Sequence, residues 1–234
     1  VASSAFGFSN VAKVDYASAF GYSNEASGLA SSAVGFRNKA ASENASAVGY
    51  GNNANALAAS AVGYNNTAGG VGSSTIGYNN TATNENASAF GYGNTAGGLA
   101  SSAFGFSNTA SGDNANAFGY NNIASGSKSN VFGTGNTVSG SSSNAVGTAN
   151  EVAAENSTAI GNNNTISSGA ENSAALGNNI SISLKDSVAL GNNSTATAIN
   201  SVTGNSSYTK WAGVSDVVGV VSVCLLYTSP SPRD

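Results

Sequence analysis

The sequence predicts an all-β fold, a parallel β-solenoid or β-roll of stacked 14-residue coils, on three observations. A glycine recurs every fourteen residues, an apolar residue always stands just before it, and Gly, Ser, Asn and Thr dominate the stretches between. The anchor glycines run from Gly7 through Gly21, Gly35 and Gly49 to Gly161 without a break in period, and Gly177 and Gly191 follow. A fixed period marks a quasi-one-dimensional array, in which each unit touches mainly its neighbours, rather than one or two globular domains.

With the anchor glycine as position 0, each column has its own chemistry. Position −2 is almost always alanine (Ala5, Ala19, Ala89), with Thr75 and Val131 as exceptions, and position −1 is apolar from Phe6 to Leu190. Position +1 is aromatic from Phe8 to Tyr120, then becomes Thr134, Thr148, Asn162, Asn178 and Asn192. Position +3 is asparagine from Asn10 to Asn164, and +5 is alanine or β-branched, as at Ala12, Val138 and Ile166. Around +7 the chain favours small turn residues such as Gly28, Gly70 and Gly98.

Positions −1, +1, +3 and +5 share one parity, and alternate residues of a strand face the same side. Each unit therefore reads as a short strand, a bend near the glycine, a second short strand and a turn. A helix competes poorly, because apolar residues do not recur at helical spacing and the intervening residues are weak helix formers. Coils about 4.8 Å apart would make a rod of roughly 65 Å, with Phe on Phe at −1 and Tyr on Tyr at +1. Asparagines in register at +3 would form an amide ladder.

On this reading Phe90 and its equivalents fill the interior. Ala89 and Gly91 leave a flat side that a second backbone could approach. So thin a coil would leave apolar surface wet, and self-association along the Ala/Gly face is expected, with a closed cyclic trimer preferred and a dimer equally compatible with the composition. The step from Gly161 to Gly177 is sixteen residues. The extra pair is expected in a turn around Ser168 to Asn172, and an even insertion preserves facing.

Composition narrows the functions. Charged residues make up 8 % of the chain and the formal net charge is −4. With no run of like charge there is no basic track for nucleic acid. The regular apolar positions argue for order rather than disorder. No stretch before the last repeat approaches the roughly 20 apolar residues of a membrane-spanning helix. Val1–Gly7 is already mid-repeat, so a fragment of a longer protein is expected. The only cysteine and both prolines fall in Cys224–Asp234, which looks like the in-frame translation of a transposase adapter used in sequencing libraries. That segment is set aside. The remaining chain is free of cysteine, compatible with a secreted bacterial surface protein.

Little in the sequence suggests chemistry. There is no histidine, and Asp15, Glu43, Glu85, Asp113 and Glu155 recur at +8, where a solvated turn edge is expected. The repeats lack the Gly-Gly-x-Gly-x-Asp pattern of calcium-binding rolls, so no metal site is expected. Convergent groups for catalysis are missing too, and neither an enzyme, a catalytic residue nor a cofactor is expected. Triplets such as Asn44-Ala45-Ser46 and Asn163-Asn164-Thr165 are expected to reflect Asn and Thr richness rather than glycosylation. The candidate ligand-binding residues are Tyr50, Tyr64, Tyr78, Tyr92 and Tyr120. Facing inward they would stabilise the roll; facing outward they would form a strip for peptide or glycan.

Two stretches, Asp186-Ser187-Val188-Ala189-Leu190-Gly191 and Asn156-Ser157-Thr158-Ala159-Ile160-Gly161, resemble the Asn-Ser-Val-Ala-Ile-Gly head repeats of YadA-type trimeric autotransporter adhesins. Glu43-Asn44-Ala45-Ser46-Ala47-Val48-Gly49 is similar, with Ser for Val at −3. That replacement, common in the early repeats, is expected to thin the interior, with the rings at −1 and +1 compensating. The resemblance covers about residues 1–205. It implies a left-handed parallel β-roll, a homotrimer, and attachment to extracellular matrix protein, surface glycan or cells. It also implies display on the outer membrane's extracellular side, with membrane contact only through an anchor outside this chain. Tyr208–Asp216 leading into Val217–Val223 looks like the family's head-to-neck junction, so 206–223 is expected to be a truncated junction and 224–234 the adapter. Adhesion by many weak equivalent contacts is the expected function. The alternatives are a phage tail-fibre β-roll segment and an ice-binding solenoid. The second needs a flat threonine array, whereas Thr67, Thr81, Thr95, Thr109 and Thr137 at +4 stand in single file.

Overall fold

The computed structural model describes residues 2–197 and 221–223. Among these, each coil contributes one long and one short strand, as in Ser88–Tyr92 and Thr95–Ala96 around Gly91. The long strands stack into a 15-stranded sheet and the short ones into a 14-stranded sheet. Pairing is parallel and in register: Ala89, Phe90, Gly91 and Tyr92 lie beside Ala103, Phe104, Gly105 and Phe106, and Ala96 lies beside Ala110. The expected parallel solenoid of fourteen-residue coils is what forms, with no helix among the described residues.

Two corners turn each coil. Position +2 (Ser23, Arg37, Asn65, Asn79) holds φ between 51° and 55°, and position +9 (Ala30, Asn44, Asn86) between 54° and 56°. Asparagine tolerates this left-handed geometry better than most residues, which accounts for its recurrence there. The corner N–H groups bond backward along the rod, Arg37 to the Tyr22 carbonyl at 2.9 Å and Asn44 to that of Leu29 at 2.8 Å. Neighbouring N–H groups bond forward, Ser32 to the Ala45 carbonyl at 2.9 Å.

The corner at +2 also resets which side faces in. In the long strand, −4 and −2 point inward while −3, −1 and +1 point outward; beyond the corner, +3 and +5 point inward. The interior is therefore Ala17, Ala19, Asn24 and Ala26, all fully buried, whereas Phe20 is 41 % exposed. The expectation that Phe90 and its equivalents fill the interior is overturned, because parity cannot be counted through a left-handed residue. Two sheets joined by such tight corners lie close enough to enclose mainly alanines and asparagines.

Two further expectations fall with it. Gly91 has φ +118°, and a Cβ there would sit 2.1 Å from the Gly105 carbonyl oxygen. The close backbone approach at the glycine is real, but the approaching backbone is the next coil of the same rod. Ala89 is buried, so no Ala/Gly face is available for association. Serine at −3 lies on the outer side and does not thin the interior.

The sixteen-residue step leaves both sheets in register, with Ile160 beside Leu176 and Ile166 beside Ile182. The added residues form an outer turn closed by the Ala170 N–H on the Ser167 carbonyl at 3.0 Å. Val221–Val223 pairs in parallel with Val188–Leu190 and is the last described strand of the long-strand sheet. The expected junction stretch Tyr208–Asp216 and the adapter-like 224–234 lie outside the described residues.

Candidate functional site

An internal asparagine spine holds the outer columns at fixed spacing. Asn94 shares its side-chain N–H donors among the Asn80 Oδ1 at 3.0 Å, its own coil's Phe90 carbonyl at 2.9 Å and the Gly105 carbonyl at 2.7 Å. Its backbone N–H also donates to Asn80 Oδ1, at 3.0 Å. The pattern repeats along the buried amides and ends at Asn164, whose Oδ1 accepts the N–H of Ile180 at 3.0 Å. A buried amide is costly unless paired, and here pairing along the ladder and to the carbonyls flanking the glycine satisfies it. The amide ladder expected from the sequence exists, and its role is structural.

The outer face of the long-strand sheet carries the candidate site. Tyr50, Tyr64, Tyr78 and Tyr92 stack coil on coil with centroids 4.7–4.8 Å apart and ring planes within 5° of parallel. Phe106 continues the column and Tyr120 ends it, 5.2 Å beyond. Toward the other end the column passes through Phe36 and Tyr22 to Phe8. All five candidate tyrosines are therefore in one stack and face outward, although Phe106 separates Tyr120 from the rest. Arg37 lies over the Phe36 ring, 5.1 Å from its centroid.

Stacking limits what the rings can do. Each internal ring has a neighbour on both faces, so the surface presents ring edges and a row of phenol hydroxyls. A platform for stacking sugars needs free ring faces, and this column has none between its ends. Parallel to it, across the glycine, runs the −1 column. There Phe90, Phe104, Phe118 and Phe132 stack at 4.7–5.0 Å, and Val, Ile and Leu occupy the other coils. Ile76, Phe132, Ile160 and Leu176 in it are two-fifths exposed or more, while Phe90, Phe104 and Phe118 are half-buried by their neighbours. The resulting two-column strip is flat, apolar and continuous, and suits contact with another protein surface better than a small ligand.

The remaining surface is polar and simple. Asp15, Glu43, Glu85, Asp113 and Glu155 stand exposed at the +8 edge as expected, alternating there with Leu29, Leu57, Val71 and Leu99. The threonine column Thr67, Thr81, Thr95 and Thr109 lies in register on the short sheet, and Ile123 interrupts it before Thr137. Among the described residues, the only ion pair joins Lys13 to Glu25, and its hydrogen bond holds the Glu25 carboxyl below the usual value. No three His, Cys, Asp or Glu side chains converge among the described residues.

The sequence revealed the residues of the strip but not the side they face. The signal that could have done so is the small or amide residue recurring at +2, which marks a corner between the ring column and the spine.

Comparison with known families bears directly on this geometry. The YadA head domain repeat (2 copies) matches residues 26–52, 68–94, 96–122, 139–164 and 185–202, more than half of the chain. Each of the first four matches spans nearly two coils. A search of curated proteins gives no match. The matched family is an adhesin domain rather than an enzyme family, and its repeats fall on the stacked coils described above: the chain belongs to the YadA head domain repeat family.

Proposed function

We propose that this chain is the adhesive head of a trimeric autotransporter displayed on the bacterial cell surface. On this reading residues 1–205 form a left-handed β-roll head and 206–223 the start of a neck junction. Three copies pack through the outer face of the long-strand sheet, and the assembled rod attaches to matrix protein or surface glycan through many equivalent weak contacts.

One observation carries the association. The −1 column is apolar from Phe6 to Leu190, yet its side chains point away from the interior. Monomers rarely expose apolar strips of this length, roughly 65 Å at 4.8 Å per coil. The +1 column is less suited to the three-fold axis, because its rings give way to Thr134, Thr148 and Asn162. A closed three-fold arrangement buries the −1 columns against one another and leaves the corners and the short sheet for ligand contact.

Sedimentation of the purified chain tests the first part. A trimer is expected, converted to monomer by Ile76→Glu with Phe104→Glu; a well-folded parent monomer would contradict the proposal. The second part is tested by binding to immobilised collagen, laminin and fibronectin and to a glycan array. Binding should weaken sharply in the monomeric variant, and no binding by the trimer to any of them would contradict the adhesive reading.

A further inference from the structure

We propose that the corner asparagines are acceptors for N-linked glycosylation, and that the coil confines sugars to the two long edges of the rod. The inference is independent of how the head associates. It reverses the expectation that the Asn-x-Ser/Thr triplets are only a by-product of composition.

Every such triplet from Asn44 to Asn179 has its asparagine at a corner. Asn65, Asn79 and Asn163 occupy +2, and Asn44, Asn86 and Asn156 occupy +9, with φ between 51° and 56°. Asn179 and Asn193 follow the same pattern at +2; Asn192, whose triplet overlaps that of Asn193, does not, and the triplet at Asn205 lies outside the described residues. All the corner asparagines are exposed, while the spine asparagines beside them, such as Asn66, Asn80 and Asn164, are fully buried. The spine residues escape the triplet because +5 is always apolar.

The hydroxyl partner is also placed by the fold. Thr67 and Thr81 begin short strands at Thr67–Ala68 and Thr81–Ala82, and Ser46 and Ser88 begin long strands at Ser46–Tyr50 and Ser88–Tyr92. Each of these four triplets thus runs from a corner to the first residue of a strand, with the hydroxyl-bearing residue half-buried and the asparagine exposed. Among the described residues, the side-chain amides of Asn65, Asn79, Asn86 and Asn156 make no hydrogen bond that a sugar would have to break. An exposed turn of this kind is where an N-linked sugar fits a folded protein.

The donor is a nucleoside diphosphate sugar and the catalyst a separate transferase. The Asn Nδ2 forms a bond to the anomeric carbon as the anomeric C–O bond to phosphate breaks. The nucleoside diphosphate leaves with that electron pair, and one Nδ2 proton passes to a base of the transferase. No oxidant or reductant enters.

The test treats the folded chain with a soluble sequon-specific N-glycosyltransferase and UDP-glucose and maps hexose by peptide mass spectrometry. Hexose is expected on Asn65, Asn79, Asn86 and Asn156 of the folded rod. Thr67→Ala should remove it from Asn65 alone, with an unchanged melting profile. Ala68→Ser creates a triplet at Asn66 in the spine, which should take hexose as a denatured chain and stay unmodified when folded. Modification of corner sites only after unfolding, or of Asn66 in the folded variant, would overturn the proposal.

Discussion

From Ala26 to Ala124 the interior +5 column is alanine throughout, and the +1 column outside is a stack of rings. From Val138 to Ile182 the same interior column is Val138, Val152, Ile166 and Ile182, with Val131 joining at −2, and the outside carries Thr134, Thr148, Asn162 and Asn178. The backbone does not change across the boundary: Gly119 pairs with Gly133 as Gly91 pairs with Gly105. Apolar mass has moved from the skin to the core. Valine for alanine buries two more carbons, about 1.6 kcal/mol at about 0.8 per buried carbon. A stacked ring pair contributes about 0.5–1.5 kcal/mol beyond its burial. The two solutions are of similar size, so one fourteen-residue frame can be stabilised from either side.

Substitutions that test the shared frame should have the largest effect, and the same effect in both regions. Gly91→Ala and Gly147→Ala place a Cβ 2.1 Å and 1.9 Å from the next coil's carbonyl oxygen, at φ +118° and +125°. Each should cost at least about 3 kcal/mol in urea unfolding; a tolerated Gly147→Ala would show that the later coils do not share the frame.

Core substitutions should split the regions next. Ile166→Ala removes a fully buried side chain and should cost about 2–5 kcal/mol. Ala96→Val adds volume to a full alanine interior and should destabilise by about 1–3 kcal/mol, although valine is native at the same position two coils beyond Ala110. Equal tolerance of Ala96→Val and stabilisation by it would mean the early interior has unfilled room.

The spine gives a smaller contrast. Asn94→Ala leaves the Phe90 and Gly105 carbonyls and the neighbouring amides short of partners, and should cost about 2–3 kcal/mol. Asn164→Ile should cost less, since Asn164 already borders Ile180 and has a ladder partner on one side only. The smallest effect is that of pH. Glu25 has its carboxyl lowered from 4.5, first by its hydrogen bond to Lys13. Its contribution is present above that value and lost as pH falls below it. A slight fall in melting midpoint on acidification, absent in Lys13→Ala, is expected; a large fall in both proteins would place the acid sensitivity elsewhere.

Much of this was legible in the sequence. The period gave the coil, and like-on-like columns gave parallel register, the amide ladder and the ring stack. Facing was misread for one local reason: Ser23, Asn65 and their equivalents sit in the left-handed region, and a single such residue breaks the alternation on which parity depends. The alanine column at −2 was available as a correction, because an interior between such corners cannot take Phe90. The candidate tyrosines were found because they recur. That the stack faces outward, and so presents ring edges and hydroxyls to solvent, follows only from the folded rod.

The central claim is that alanines lie inside and rings outside in the early coils. Thermal unfolding of Ala89→Trp and Tyr92→Trp, followed by circular dichroism, tests it most directly. Tyr92→Trp should melt close to the parent, its ring still stacked between Tyr78 and Phe106, and Ala89→Trp should lose cooperative unfolding because no space exists beside the buried Ala103. An Ala89→Trp protein that melts like the parent while Tyr92→Trp collapses would contradict it.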